Sequence, residues 1–291
     1  LTTRRAFGDD NVLFSLENLH MASNEGTVAG AIGGITGLNV ASSTSENGEE
    51  TIRTDNGDVL KINVSHRKRA QVLFDWLNQR YTNPNEKLVI AIGGPSGSGK
   101  SEIGALISSL YQSAGVPALL VPCDNYPIRA PKFNDAHRRE LFDAKGKDAL
   151  AAYLGSEDEI LFSRLGDISR DFLNGADTVN LRKINMQTCE ITESIPTKVG
   201  HLKVLVFEGT WSCRVPGLSE SVFLATDFKK TAEHRAKRAR VEIQNDENRR
   251  FIEEYVLPFE QVTLEKIRDT IATIWLSYED DGSAKLAENR K

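Results

Sequence analysis

Cysteine is scarce in this 291-residue chain: Cys123, Cys189 and Cys213 lie far apart, with no CxxC pair. An odd, scattered set argues against a disulfide framework and a zinc knuckle, and fits a reducing compartment. Long apolar runs are missing as well. Nothing approaches the ~18–20 residues that a membrane span needs. The best stretch, Thr27 to Leu38, is glycine-rich and follows Glu25 rather than a basic flank, so it does not read as a signal peptide. The expected location is cytoplasmic; because the sequence starts at Leu1 and not at Met, organelle import stays open. A basic excess is also absent. Lys plus Arg number 36 against 41 Asp plus Glu, a net charge of −5, whereas nucleic-acid binders carry clustered positive charge.

What is present falls into two zones. Residues 1–65 are rich in Gly, Ser, Thr, Asn and Asp, with Asn-Gly at 47–48 and 56–57. Such pairs favour tight hairpin turns and predict short strands at 50–53 and 59–64, joined across the second turn. No chemistry is visible there, and the zone reads as an N-terminal appendage. Residues 66–291 read as one domain. Ala70, Leu73, Trp76, Leu77 and Tyr81 predict a helix over 67–81, and Ile103, Leu106, Ile107 and Leu110 another over 101–113. Apolar runs at 87–92, 117–121, 203–207 and 221–225 predict buried parallel strands. Ser156 to Glu159 has the form of a capping box, predicting a helix that opens there and runs through Phe172. This alternation specifies an α/β fold, mainly parallel sheet with helices on both faces.

The strongest motif is Gly94-Pro95-Ser96-Gly97-Ser98-Gly99-Lys100-Ser101, a GxxxxGK[ST] phosphate loop set between a strand and a helix, as that loop requires. Glycines let backbone N–H groups wrap a phosphate, and the helix N-terminus adds donors and a favourable dipole. Lys100 would pair with the β- and γ-phosphates of ATP, and Ser101 would ligate Mg²⁺. There is no NKxD guanine reader, no LSGGQ segment and no helicase motif series, so a small kinase is left.

Two carboxylates stand at expected strand ends. Asp124 follows the 117–121 run, where α/β sheets place ligands, and could take a proton from an attacking hydroxyl. Glu208 closes the 203–207 run, where it could organise Mg²⁺, with Gly209 letting the chain turn close to the phosphates.

Five segments taken in order resemble the uridine kinase and phosphoribulokinase family, which includes pantothenate and nicotinamide riboside kinases. They are GGPSGSGKS at 93–101, CDNYP at 123–127, VFEG at 206–209, FLATDFKKTAEHRAKRAR at 223–240 and FIEEYVLPFEQV at 251–262. The resemblance covers roughly 87–276. It implies a P-loop kinase fold and ATP-dependent phosphorylation of a hydroxyl on a small metabolite. It also implies Asp124 as base, Glu208 as Mg²⁺ organiser and the basic helix at 235–240 as lid. Arg235 and Arg238 share a helix face, which suits a triphosphate.

The acceptor side departs from the nucleoside kinases of that family. Their hairpin carries an aromatic and a histidine where this chain has Ile184 and Cys189, so a stacked base is not expected. Tyr126, Arg129, Arg138, Cys189 and Trp211 are the candidate acceptor residues. Arg129, Lys132, Arg138 and Arg139 suit an anionic acceptor; Asp135, Glu140 and Asp143 nearby equally suit a solvent-facing basic segment. The expected partners are ATP and a small hydroxyl acceptor, with no nucleic acid and no membrane; a homodimer is left open. The alternative is a nucleotide-binding regulatory or scaffold protein on the same fold.

Overall fold

The computed structural model of the chain describes residues 41–44, 50–53, 59–83, 85–186, 188–233, 235, 246–278 and 283–289. Near the N-terminus, β1 (Ala41–Thr44), β2 (Glu50–Arg53) and β3 (Val59–Ile62) form a small antiparallel sheet in that order. Helix α1 (Val64–Arg80) follows at once, capped by Asn63, whose side chain accepts the His66 N–H at 2.9 Å. The phosphate-loop strand β4 (Leu88–Gly93) leads into α2 (Lys100–Ser113) and then β5 (Ala118–Pro122). Helices α3 (Pro131–Tyr153) and α4 (Phe162–Leu173) precede a two-stranded hairpin, β6 (Thr178–Ile184) and β7 (Ile191–Lys198). The remaining strands and α-helices of the described residues are β8 (Val204–Glu208), β9 (Glu220–Ala225), α5 (Asp246–Phe251), α6 (Leu257–Thr270), β10 (Ile274–Tyr278) and β11 (Ala284–Glu288), with a π-helical turn (Ile252–Val256) between α5 and α6.

The central sheet runs β11-β10-β9-β4-β8-β5, parallel except for the edge strand β11. Its inner strands are mostly apolar because both faces are covered. On β4, Val89 and Ala91 face one core with α4 and α6; Leu88, Ile90 and Ile92 face the other, with α1 and α2. The four predicted strands are therefore β4, β5, β8 and β9, and the expected hairpin at 50–64 is β2 paired with β3.

Two boundaries differ from the sequence reading. Helix α4 begins at Phe162, not at Ser156. Glu159 does not close a capping box there. Its side chain is fully buried and accepts the Gly155 N–H at 2.5 Å and the Asn134 amide at 3.0 Å. Position 65, where the appendage was expected to end, lies inside α1, and Ile52, Leu60 and Ile62 join the α1–α2 core.

That last contact can be tested. Ile52 is 0% exposed, so Ile52→Ala is expected to lower global stability by about 2–5 kcal/mol in one urea transition. An unchanged transition midpoint would mean that β2 folds apart from the main core.

Candidate active site

The C-terminal ends of β4, β5 and β8 lie side by side. Register pairs Glu208 with Ile92 on one flank and with Pro122 on the other. The phosphate loop leaves β4, Asp124 follows β5 in a one-turn 3₁₀ segment (Cys123–Asn125), and Glu208 ends β8. Ser101 Oγ donates to Glu208 Oε2 at 3.0 Å. Lys100 is buried and its Nζ donates to the Pro95 carbonyl at 2.8 Å, so its ammonium is folded back under the loop.

Chain turns complete the arrangement. Gly209 has φ +152°, and a Cβ there would meet Cys123 Cβ at 2.9 Å and Asp124 Oδ1 at 3.4 Å. The absence of a side chain thus brings the β8 end against the Asp124 loop. Gly97 (φ +79°) leaves room for the Arg235 side chain, whose Cγ would lie 3.0 Å from an added Cβ. Arg235 therefore rests over the phosphate loop, steadied by Nη1 bonds to the Phe228 carbonyl at 2.5 Å and Thr231 Oγ1 at 2.7 Å. Thr231 Oγ1, within the 223–240 segment, in turn donates to the Ser96 carbonyl at 2.8 Å, a latch that the sequence reading did not single out. Arg238 lies outside the described residues.

Part of the sequence and the fold are similar to known proteins. No family model matches the chain. A curated relative, the bifunctional alpha-galactosidase/sucrose kinase AgaSK of Mediterraneibacter gnavus, is 33% identical over 162 residues, 55% of this chain. The chain spans only 17% of the length of that relative. Among solved structures, a candidate fructose transport system kinase from Silicibacter sp. TM1040 superposes with a TM-score of 0.51 at 16% identity, covering 68% of this chain and 94% of that one. A candidate uridine kinase from Bacillus stearothermophilus gives 0.49 at 16% identity, covering 73% of this chain and 98% of that one. The chain has the P-loop kinase fold. This is the fold that its uridine kinase and phosphoribulokinase resemblance implied.

Around the Asp124 loop, the residues expected to meet an acceptor are more deeply engaged than the sequence suggested. Tyr126 is fully buried; its hydroxyl accepts the Arg182 N–H at 3.1 Å, and burial pushes its pKa up to about 12. Trp211 is packed in the core, while Cys189, at the hairpin turn, has a φ of 59°. Arg129 donates to Tyr153 Oη at 3.3 Å and to the Asp158 carbonyl at 3.4 Å.

Arg138 is drawn into a buried carboxylate cluster. It binds Glu159 at 2.6 Å, Asp135 at 3.1 Å and Glu260, on α6, at 3.7 Å. One guanidinium facing three acids cannot hold all of them ionised away from water. Burial pushes the Glu260 carboxyl up to about 7, with Arg138 and Lys100 opposing the rise and Glu159 and Asp135 adding to it.

The folded state therefore keeps a proton on Glu260 that the unfolded chain gives up near its ordinary value of 4.5. Stability from this group is full below that value and falls as pH rises toward about 7. Glu260→Gln mimics the protonated carboxyl. Its melting temperature is expected to gain on wild type as pH rises from 5 to 7 and to hold a constant gap above 8. A gap independent of pH across that range would refute the protonated carboxyl.

Proposed function

We propose that the chain transfers the γ-phosphoryl group of ATP to a hydroxyl of a small, neutral carbohydrate. The observation that carries the phosphoryl-transfer part is the convergence of Lys100, Ser101, Glu208 and Asp124 at three adjacent strand ends. The carbohydrate part is supported by the 33% identity with a bifunctional protein that includes a sucrose kinase. It is supported also by the engagement of the local cations. Arg138 is matched by three carboxylates, and Arg129 by a phenol and a carbonyl. An anionic acceptor, which the 129–139 segment suggested, draws less support from that arrangement.

In this reading the phosphate-loop N–H groups cradle the triphosphate, and Lys100 turns from the Pro95 carbonyl toward the β- and γ-oxygens. Ser101 and Glu208 are hard oxygen donors on adjacent elements, a set that fits Mg²⁺, which takes one or two protein ligands and completes its shell with phosphate oxygens and water. When bound, that ion neutralises charge on the phosphates. Asp124 accepts the proton of the acceptor hydroxyl as its oxygen attacks the γ-phosphorus, and the bond from that phosphorus to the bridging oxygen of ADP breaks. Arg235 meets charge developing on the transferred group from above Gly97.

The test is ADP release with ATP, Mg²⁺ and a panel of neutral mono- and disaccharides set beside sugar phosphates and carboxylates, with products identified by mass. A neutral sugar should give the best kcat/KM. Asp124→Asn should lower kcat by about 10²–10⁴-fold while ATP binding persists. Preference for an anionic acceptor would sink the carbohydrate assignment. Tight ATP binding with no turnover on any acceptor would favour a regulatory protein.

A further inference from the structure

The hairpin β6–β7 is joined to the Asp124 loop in part through one buried side chain that lies in none of the motifs. Arg182, on β6, is 3% exposed. Its Nη1 donates to the carbonyls of Asn125 and Pro127, each at 2.7 Å. Its Nε faces the Glu193 carboxylate on β7 at 3.2 Å, so the buried charge stays paired. The backbone takes part too: the Arg182 N–H donates to Tyr126 Oη at 3.1 Å, and the Ile184 N–H to Asn125 Oδ1 at 3.1 Å. These four bonds land on residues 125–127, directly after Asp124.

The hairpin is shaped for this contact. Its register slips where Arg182 sits, with Leu181 opposite Ile195 but Lys183 opposite Thr192. A bulge of this kind bends the strand and re-aims side chains, and it is common beside active sites. Here it accompanies an N–H that bonds out of the hairpin to Tyr126. A charge-assisted donor set held on two backbone carbonyls in a dry setting is stiff, because breaking it leaves those carbonyls unsatisfied.

We propose that Arg182 is a positioning residue for phosphoryl transfer. It clamps the loop that carries Asp124 to the hairpin, so that the base and the cover over the acceptor move as one body. This rests on the reading of Asp124 as base. The consequence is specific to one half of the reaction: ATP is held by the phosphate loop, which Arg182 does not touch.

Two variants and two measurements test it. Arg182→Ala should lower kcat/KM for the acceptor about 10²-fold, mainly in kcat, as expected when a reacting group is displaced by an ångström or so. KM for ATP should stay within about twofold, since no phosphate contact is lost. Arg182→Lys keeps the charge but loses the planar fork and the Nε donor that faces Glu193, and should recover part of the loss; it also serves where the alanine variant folds poorly. Equal losses toward ATP and acceptor, or full activity in the alanine variant, would overturn the proposal. The second measurement needs no acceptor. In either variant, hydrogen exchange should quicken at the amides of Tyr126 and Ile128, which bond to the Cys123 and Glu159 carbonyls, and stay unchanged over residues 94–101. Unchanged exchange at those two amides would remove the clamp even if the wild-type chain phosphorylates nothing, an outcome that would instead count against the kinase reading.

Discussion

The hydrogen bond from Ser101 to Glu208 is the constraint around which the site is arranged. It joins the first turn of α2 to the end of β8, more than a hundred residues later. It can form only because β8 is threaded between β4 and β5, which sets Glu208 level with Ile92 on one side and Pro122 on the other. A sheet in strict sequence order would put β5 next to β4 and leave Glu208 a full strand away from the phosphate loop. With β8 in the middle, the loop, the carboxylate and the Asp124 turn become neighbours. The ligand crevice then falls at the carboxyl ends of the strands, as in open α/β sheets generally.

Around that frame, the cations are sorted by the partners that hold them. Cations on the phosphate side, Lys100 and Arg235, bond to carbonyls and a hydroxyl, partners that yield to a stronger anion. Those on the acceptor side are taken up by the protein itself. Arg138 is sunk among carboxylates, and Arg182 is sunk among carbonyls with Glu193 beside it. A positively charged stretch of sequence is thus not a positively charged surface, and the 129–139 segment illustrates the difference.

The same sorting explains what could be read in the sequence. Strands β4, β5, β8 and β9 were visible because each is largely buried and carries an apolar run of at least four residues. The phosphate loop, Asp124 and Glu208 were visible because their positions follow from strand ends, which local pattern gives. Glu159 was misread because a capping box and a buried acid look alike in sequence; only α3, packed above it, decides that the side chain turns to Asn134 and Arg138 and that α4 waits until Phe162. Arg182 had no local signal, and Thr231 and Glu260 sit inside resembling segments that do not reveal what their side chains do. Ser96 for Thr231, Arg138 for Glu260 and Asn125 for Arg182 are partners far along the chain, and a lone Arg on a short strand is ordinarily a solvated residue.

Glu260 shows how the two halves of the site bear on each other. Its carboxyl is felt by Arg138 on the acceptor side and by Lys100 and Arg235 on the nucleotide side. Were it ionised, it would compete with phosphate oxygens for those two cations in a region of low dielectric, where such competition is strong. Keeping its proton up to about pH 7 removes the competitor without removing the hydrogen-bonding group. The excess of acids around Arg138 therefore does more than neutralise one guanidinium. Burial, with Glu159 and Asp135 adding to it, holds Glu260 protonated and so leaves the positive charge of Lys100 and Arg235 directed at the phosphate loop.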